Sequence, residues 1–267
     1  MGTFYGDKNN DVLYGGSDAD TLNGDAGDDF LNGGSGADNM SGGSGNDRYI
    51  VDNASDSITE NSGEGTDLIR SSVTYTAPSD VENLILTGSN DIDATGNVLG
   101  NELTGNNGAN NLTGRDGNDV LSGNRGDDTL NGDAGDDRLM GSAGSDTLNG
   151  GNDNDLLYGG LGDDTLNGDA GDDFLNGGSG ADNMSGGSGN DRYIVDNVND
   201  FITENFGEGT DLIRSSVTYT TSSDVENLIL TGSNDIDATG NVLGNELTGN
   251  SGANTLYGRQ GDDTLNG

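Results

Sequence analysis

The sequence predicts an all-β chain wound as a parallel solenoid, with two nonapeptides, about 18 residues, in each coil. Three observations carry this prediction. From Gly6 to Ile50, Gly96 to Ile194 and Gly240 to Asn266 the chain repeats in nines, nineteen units in one constant phase. Position 1 is Gly in all nineteen, and position 8 is always apolar or aromatic: fifteen Leu, two Met and two Tyr. Glycine supplies 50 of the 267 residues, a composition that disfavours helix throughout.

The first block reads GDKNNDVLY, GGSDADTLN, GDAGDDFLN, GGSGADNMS, GGSGNDRYI. Positions 1 to 6 of each unit are predicted turn residues, with glycine where the backbone must take φ > 0. Position 4 is Gly in fourteen units, and three exceptions, Asn9, Asp18 and Asp153, are the residue types that best tolerate such a backbone. Positions 7 to 9 form a short strand whose middle side chain points inward and whose flanks point outward. Leu13, Leu22 and Leu31 thus face in, while Tyr14 and Asn23 face out. One inward residue in nine makes a thin core. It suits two facing sheets joined by turns, so that two units complete a coil.

Position 6 is Asp in fifteen units and Asn in four. Stacked coils set equivalent residues ~4.8 Å apart. The predicted columns are Asp11, Asp29, Asp47 and Asp20, Asp38 in the first block. In the middle block they are Asp119, Asp137, Asp155, Asp173, Asp191 and Asp128, Asp146, Asp164, Asp182, and Asp263 stands in the last. Two carboxylates at that spacing repel by ~1 kcal/mol in water and by several at an effective dielectric near 20. A divalent cation between successive turns reverses the sign, and turn carbonyls supply further oxygens. Ten Asp pairs stand two units apart, so about ten Ca2+ are expected, which would bring the formal charge from −39 to about −19.

Composition supports a cation and excludes much else. The chain holds 48 acidic residues, 40 of them Asp, against 9 basic ones, with 28% hydrophobic residues. So thin a core cannot offset an ordering cost of about 1–2 kcal/mol per residue. Absence of Cys and His removes thiolate sites, disulfides, Cys nucleophiles and histidine-dependent triads. Hard cations with oxygen ligands remain. Nucleic acid is an improbable partner for a polyanion with scattered Arg. No apolar run reaches the ~18 residues of a membrane span, and Met1–Asn10 lacks the character of a signal peptide. Repeated, equivalent carboxylates do not make the asymmetric pair that glycoside hydrolysis needs, so no enzyme activity is expected.

The G-G-x-G-x-D-x-U-x pattern resembles the RTX (repeats-in-toxin) family of secreted bacterial proteins. That resemblance implies a right-handed parallel β-roll with Ca2+ held between stacked turns by position-6 Asp and backbone carbonyls. It also implies secretion through the type I machinery. The expected role is a calcium-dependent structural and folding module. The alternatives are the accessory module of a secreted lipase, protease or epimerase, and an adhesin or ice-binding repeat, for which regularly spaced Thr is lacking.

Residues 51–95 and 195–239 leave the motif but carry the strands DLIRSSVTYT and VENLILTG. Each is five nonapeptides long, so one continuous solenoid is expected over 1–267, with repeat blocks 1–50, 96–194 and 240–267. Glu60, Glu64, Asp67 and Glu82, and their counterparts Glu204, Glu208, Asp211 and Glu226, read as a solvated face rather than as extra ligands. The Asn101 and Asn110 units read as metal-free coils with stacked Asn side chains. Thr21–Gly123 matches Thr165–Gly267 with 13 of 103 positions different, so the chain is almost two copies of one module. Neither end shows a polar cap, and end-to-end self-association through exposed strand edges is expected.

Overall fold

A computed structural model describes residues 1–267, and every regular element in it is a β-strand. The chain resolves into two compact units, Met1–Gly126 and Asp127–Gly267. Each is a parallel solenoid in which successive strands of the repeat blocks alternate between two sheets.

In the first unit, one sheet brings Phe4, Leu22, Met40 and Ile58 into register. Another stacks Leu13, Leu31, Tyr49, Ile69, Leu84, Leu103 and Leu121. A third row pairs Tyr75, Ala94 and Leu112. In the second unit, Leu130, Leu148, Leu166, Met184 and Ile202 share one row. The facing row runs from Leu139 through Leu157, Leu175, Tyr193, Ile213 and Leu228 to Leu247 and Leu265. Within repeat blocks partners lie two nonapeptides apart, as with Leu148 and Leu166.

The strands are longer than the predicted positions 7 to 9. Thr21–Ala26 spans those positions and continues through positions 1 to 3 of the next unit. Only positions 4 to 6 form the turn. Side chains alternate along the strand, so position 6, position 8 and the following position 1 all face inward. Asp20, Leu22 and Gly24 are all buried. The interior is therefore built of Asp, Leu and Gly in rotation, rather than of one residue in nine.

Left-handed backbone falls at positions 2 and 4. Position 2 takes it with Asp25, Asn124, Asp133, Ser142 and Asp169 as well as with glycine. Asp153 at position 4 has φ +74°, whereas Asn9 and Asp18, expected to share that conformation, keep φ negative. Glycine at position 1 answers a different need. A Cβ on Gly150 would overlap Asp155 Oδ2 and lie 2.9 Å from Gly168 O of the next coil.

The non-motif segments hold three coils of uneven length. Strand partners step from Arg48 to Leu68, Asn83 and Glu102. Hydrogen bonds at the starts of these strands span the same intervals, 20, 15 and 19 residues in turn. The long and short steps cancel, so together they equal three regular coils and the repeat register is regained. Arg192, Leu212, Asn227 and Glu246 repeat the same steps in the second unit.

Candidate metal centre

The position-6 carboxylates form the expected columns, and backbone hydrogen bonds fix them. Each Oδ1 accepts the N–H of the equivalent residue one coil earlier. In the first unit Asp29 accepts from Asp11, Asp38 from Asp20, and Asp47 from Asp29, all at 2.7 Å. Asp119 accepts from Asn101 at 2.5 Å. In the second unit Asp155 accepts from Asp137, Asp146 from Asp128 and Asp164 from Asp146, each at 2.8 Å. Asp173, Asp182 and Asp191 continue the columns at 2.7–2.9 Å. Asp263 accepts from Asn245 at 2.8 Å.

The second oxygen is the unusual one. Oδ2 of Asp29, Asp38, Asp47, Asp146, Asp155, Asp164, Asp173, Asp182 and Asp191 is buried and has no hydrogen-bond partner. Asp11, half-buried, differs: its Oδ2 accepts the Asp7 N–H at 2.6 Å. An ionised carboxylate held in the interior without a counter-charge is strongly disfavoured. Its pKa records this. Burial, opposed by the backbone hydrogen bond and aided by neighbouring carboxylates, raises Asp155 to about 8 and Asp191 to about 7. Asp47, Asp146, Asp173 and Asp182 rise to about 6, again chiefly by burial.

The Asn units satisfy the same position differently. Asn101 donates its side-chain N–H groups to the Val81 and Glu82 carbonyls at 3.1 Å, while its Oδ1 accepts the Asn97 N–H at 2.7 Å. Asn245 repeats this with Val225, Glu226 and Asn241. Both polar ends of the amide are satisfied by backbone, and the amides do not stack on one another as expected. Position 2 of these units, Asn97 or Asn241, lacks positive φ, so its N–H reaches the side chain. Asp in a turn with left-handed position 2 has no such donor. The orphaned oxygens, the anionic oxygen-only donor set and the carbonyls close by fit a hard divalent cation.

A ladder on the outer side of the turns, at position 5, was not foreseen. Asn46 N–H donates to Asp28 Oδ1 at 2.9 Å and Thr66 N–H to Asn46 Oδ1 at 2.9 Å. Asn154, Asp172 and Asn190 continue it in the second unit. Two position-9 tyrosines pack on residues of adjacent coils: Tyr14 lies 5.8 Å from Phe30, and Tyr158 lies 5.6 Å from Phe174 with the Arg138 guanidinium over its ring.

The columns also extend into the non-motif segments, where Glu60, Glu64, Asp67, Glu82 and their counterparts are expected as a solvated face. Asp56 accepts the Asp38 N–H at 3.0 Å, Asp67 the Asp47 N–H at 2.8 Å, and Glu82 the Asp67 N–H at 2.9 Å. Asp200, Asp211 and Glu226 do the same in the second unit. Glu60, Asp67, Glu204 and Asp211 are 1–7% exposed, which corrects the solvated-face reading, whereas Glu64, Glu82, Glu208 and Glu226 are half-buried. Asp56 stands one regular coil after Asp38, so counting alone would have found it. Asp67 lies further than one regular coil from Asp47 and gave no such signal.

Asp155→Ala is expected to destabilise the calcium-loaded protein by about 3 kcal/mol or more, through loss of an anionic ligand and of the acceptor for a buried N–H. Asp263→Ala, half-buried and paired with an Asn unit, is expected to cost under about 1 kcal/mol. Hydrogen exchange in saturating Ca2+ compares them, and equal losses would contradict the column arrangement.

A family model described as RTX calcium-binding nonapeptide repeat (4 copies) matches residues 3–31, 14–49, 24–58, 104–139, 131–166, 158–193, 167–202 and 239–267. Among solved structures, a hyperactive, Ca2+-dependent, β-helical antifreeze protein from an Antarctic bacterium is 20% identical, with a TM-score of 0.33, over 99% of this chain and 83% of that one. No curated protein matches.

Proposed function

We propose, from the premise that the chain belongs to the RTX calcium-binding nonapeptide repeat family, that it is a calcium-folded structural module of a secreted bacterial protein. The observation that carries this reading is the set of buried Asp Oδ2 atoms with no partner, repeated coil after coil. The proposed ligands are Asp11, Asp29 and Asp47, Asp20 and Asp38, the middle-block Asp residues from Asp119 to Asp191, and Asp263, about ten ions in all. Bound Ca2+ supplies the positive charge that lets stacked carboxylates remain ionised inside the fold. The chain's own part is to aim one carboxylate oxygen at the preceding backbone and leave the other for the ion. Position-1 glycine leaves that oxygen room. We further propose that 1–267 forms one continuous solenoid.

The secretory role follows from the same thermodynamics. Without an ion the buried carboxylates oppose folding, so the chain stays extended where Ca2+ is scarce and folds where it is plentiful. Passage through the type I secretion machinery requires an extended chain, and membership of the family supports that route. No helix is long and apolar enough to cross a membrane.

Circular dichroism during a Ca2+ titration at neutral pH tests the proposal. The expected result is little β-structure in chelator and a cooperative gain at ~0.1–1 mM, the range of extracellular calcium modules. A full β-spectrum in excess chelator would overturn it.

A further inference from the structure

Position 8 is Tyr in only two units, Tyr49 and Tyr193, each the last of its repeat block. Both rings are completely buried in the core row. The Tyr49 hydroxyl accepts the Gly42 N–H at 2.6 Å and donates to Glu60 Oε1, while Gly42 N–H also reaches Glu60 Oε1 at 3.2 Å. A Cβ on Gly42 would overlap both Asp47 Oδ2 and the Tyr49 hydroxyl, so the two oxygens converge on one point. Asp67 joins from the next coil, where its Oδ1 holds the Asp47 N–H at 2.8 Å. Asp47, Glu60 and Asp67 are all buried, and each brings a carboxylate oxygen within 4.8 Å of the other two.

The second unit repeats these hydrogen bonds. Tyr193 accepts from Gly186 at 2.5 Å and donates to Glu204 Oε1, and Asp191 N–H donates to Asp211 Oδ1 at 2.9 Å. Here two buried oxygens, Asp191 Oδ2 and Glu204 Oε2, have no partner, and in the first unit Asp47 Oδ2 has none. Neither cluster has an Arg or Lys in an ion pair with it; the N-terminal amine forms the only salt bridges.

We propose that Asp47, Glu60 and Asp67, and by the same hydrogen bonds Asp191, Glu204 and Asp211, form a cation site of a second kind, in which one position-6 Asp is joined by two carboxylates from outside the nonapeptide pattern, and which closes the first two repeat blocks. It takes a hard divalent ion with oxygen ligands, Ca2+ before Mg2+, because its donors come from three chain segments rather than from a compact octahedral cage. With three carboxylates against the two of a repeat turn, it binds more tightly and fills first. The buried Tyr is a positioning residue: its hydroxyl turns Glu60 or Glu204 toward the Asp pair. The inference rests on the calcium reading only for the identity of the ion.

Terbium(III) tests it, because Tb3+ replaces Ca2+ and emits when sensitised by an adjacent tyrosine. In a titration of the full chain, tyrosine-sensitised emission should appear over the first equivalent per cluster. The double variant Glu60→Gln, Glu204→Gln keeps the acceptor for the tyrosine hydroxyl but removes one charge per cluster. It should lose that early phase and two bound Ca2+ per chain by elemental analysis after desalting, while still folding with Ca2+. Tyr49→Phe with Tyr193→Phe should remove the emission while retaining most of the bound ions. An unchanged ion count in the Gln variant would overturn the proposal and leave Glu60 and Glu204 as hydrogen-bonding groups only. Failure of the parent chain to fold with Ca2+ would instead defeat the repeat reading.

Discussion

Acidification folds the calcium-free chain. In excess chelator at pH 8 the protein is expected to give a largely unfolded circular dichroism spectrum, and at pH 5 a substantially β one. The sign follows from the buried carboxylates. Burial, as the leading cause, lifts Asp155, Glu60 and Glu204 to about 8, Asp191 to about 7, and Asp47, Asp67, Asp146, Asp173, Asp182 and Asp211 to about 6. In the unfolded chain these groups titrate near 4. Folded values above unfolded ones mean that the calcium-free fold takes up protons. Their contribution is fully present below about pH 4 and is lost as pH rises through 6 to 8. Stopping at pH 5 keeps the protein above its isoelectric point of about 4.1 and therefore charged. Calcium inverts the dependence, because it needs the ionised carboxylates: its midpoint concentration should rise as pH falls through the same window. A chelated chain that stays unfolded from pH 8 to 5 would show that the orphaned oxygens do not control folding.

Gly150→Ala is expected to lower stability on the scale of losing a buried carboxylate. The new methyl group would occupy the space of Asp155 Oδ2 and press on the Gly168 carbonyl of the next coil, both of them fixed. Neither can retreat, since Asp155 Oδ1 holds the Asp137 N–H at 2.8 Å and Gly168 lies within the strand Thr165–Ala170. Overpacking of this kind costs about 1–3 kcal/mol, and here it also displaces an ion ligand. Gly16→Ala is the control. Its nearest neighbour would be Asp20 Oδ2 at 3.7 Å and its φ is not positive, so the change should stay within about 1 kcal/mol of the parent. Thermal melts in saturating Ca2+ measure both, and equal melting temperatures would refute the close-approach account of position 1.

The sequence by itself determined the strand class, the two-repeat coil, the inward Leu row and the Asp columns. Each is a matter of period, and in a solenoid residues one period apart in sequence are neighbours in space. Asp137, Asp155 and Asp173 could therefore be stacked by counting. Tertiary structure decided which oxygen of each carboxylate is satisfied. That depends on whether position 2 aims its N–H inward, as Asn97 does, or takes the left-handed backbone, as Asp133 does, and both residue types tolerate either state. It also decided the path of the two non-motif segments, where long and short coils alternate and share no period to read. Glu60 stands one regular coil after Gly42, but no counting rule joined Asp67 to Asp47. Only the uneven coil brings Asp67 to that group, beside a tyrosine at the position the repeat otherwise gives to leucine or methionine.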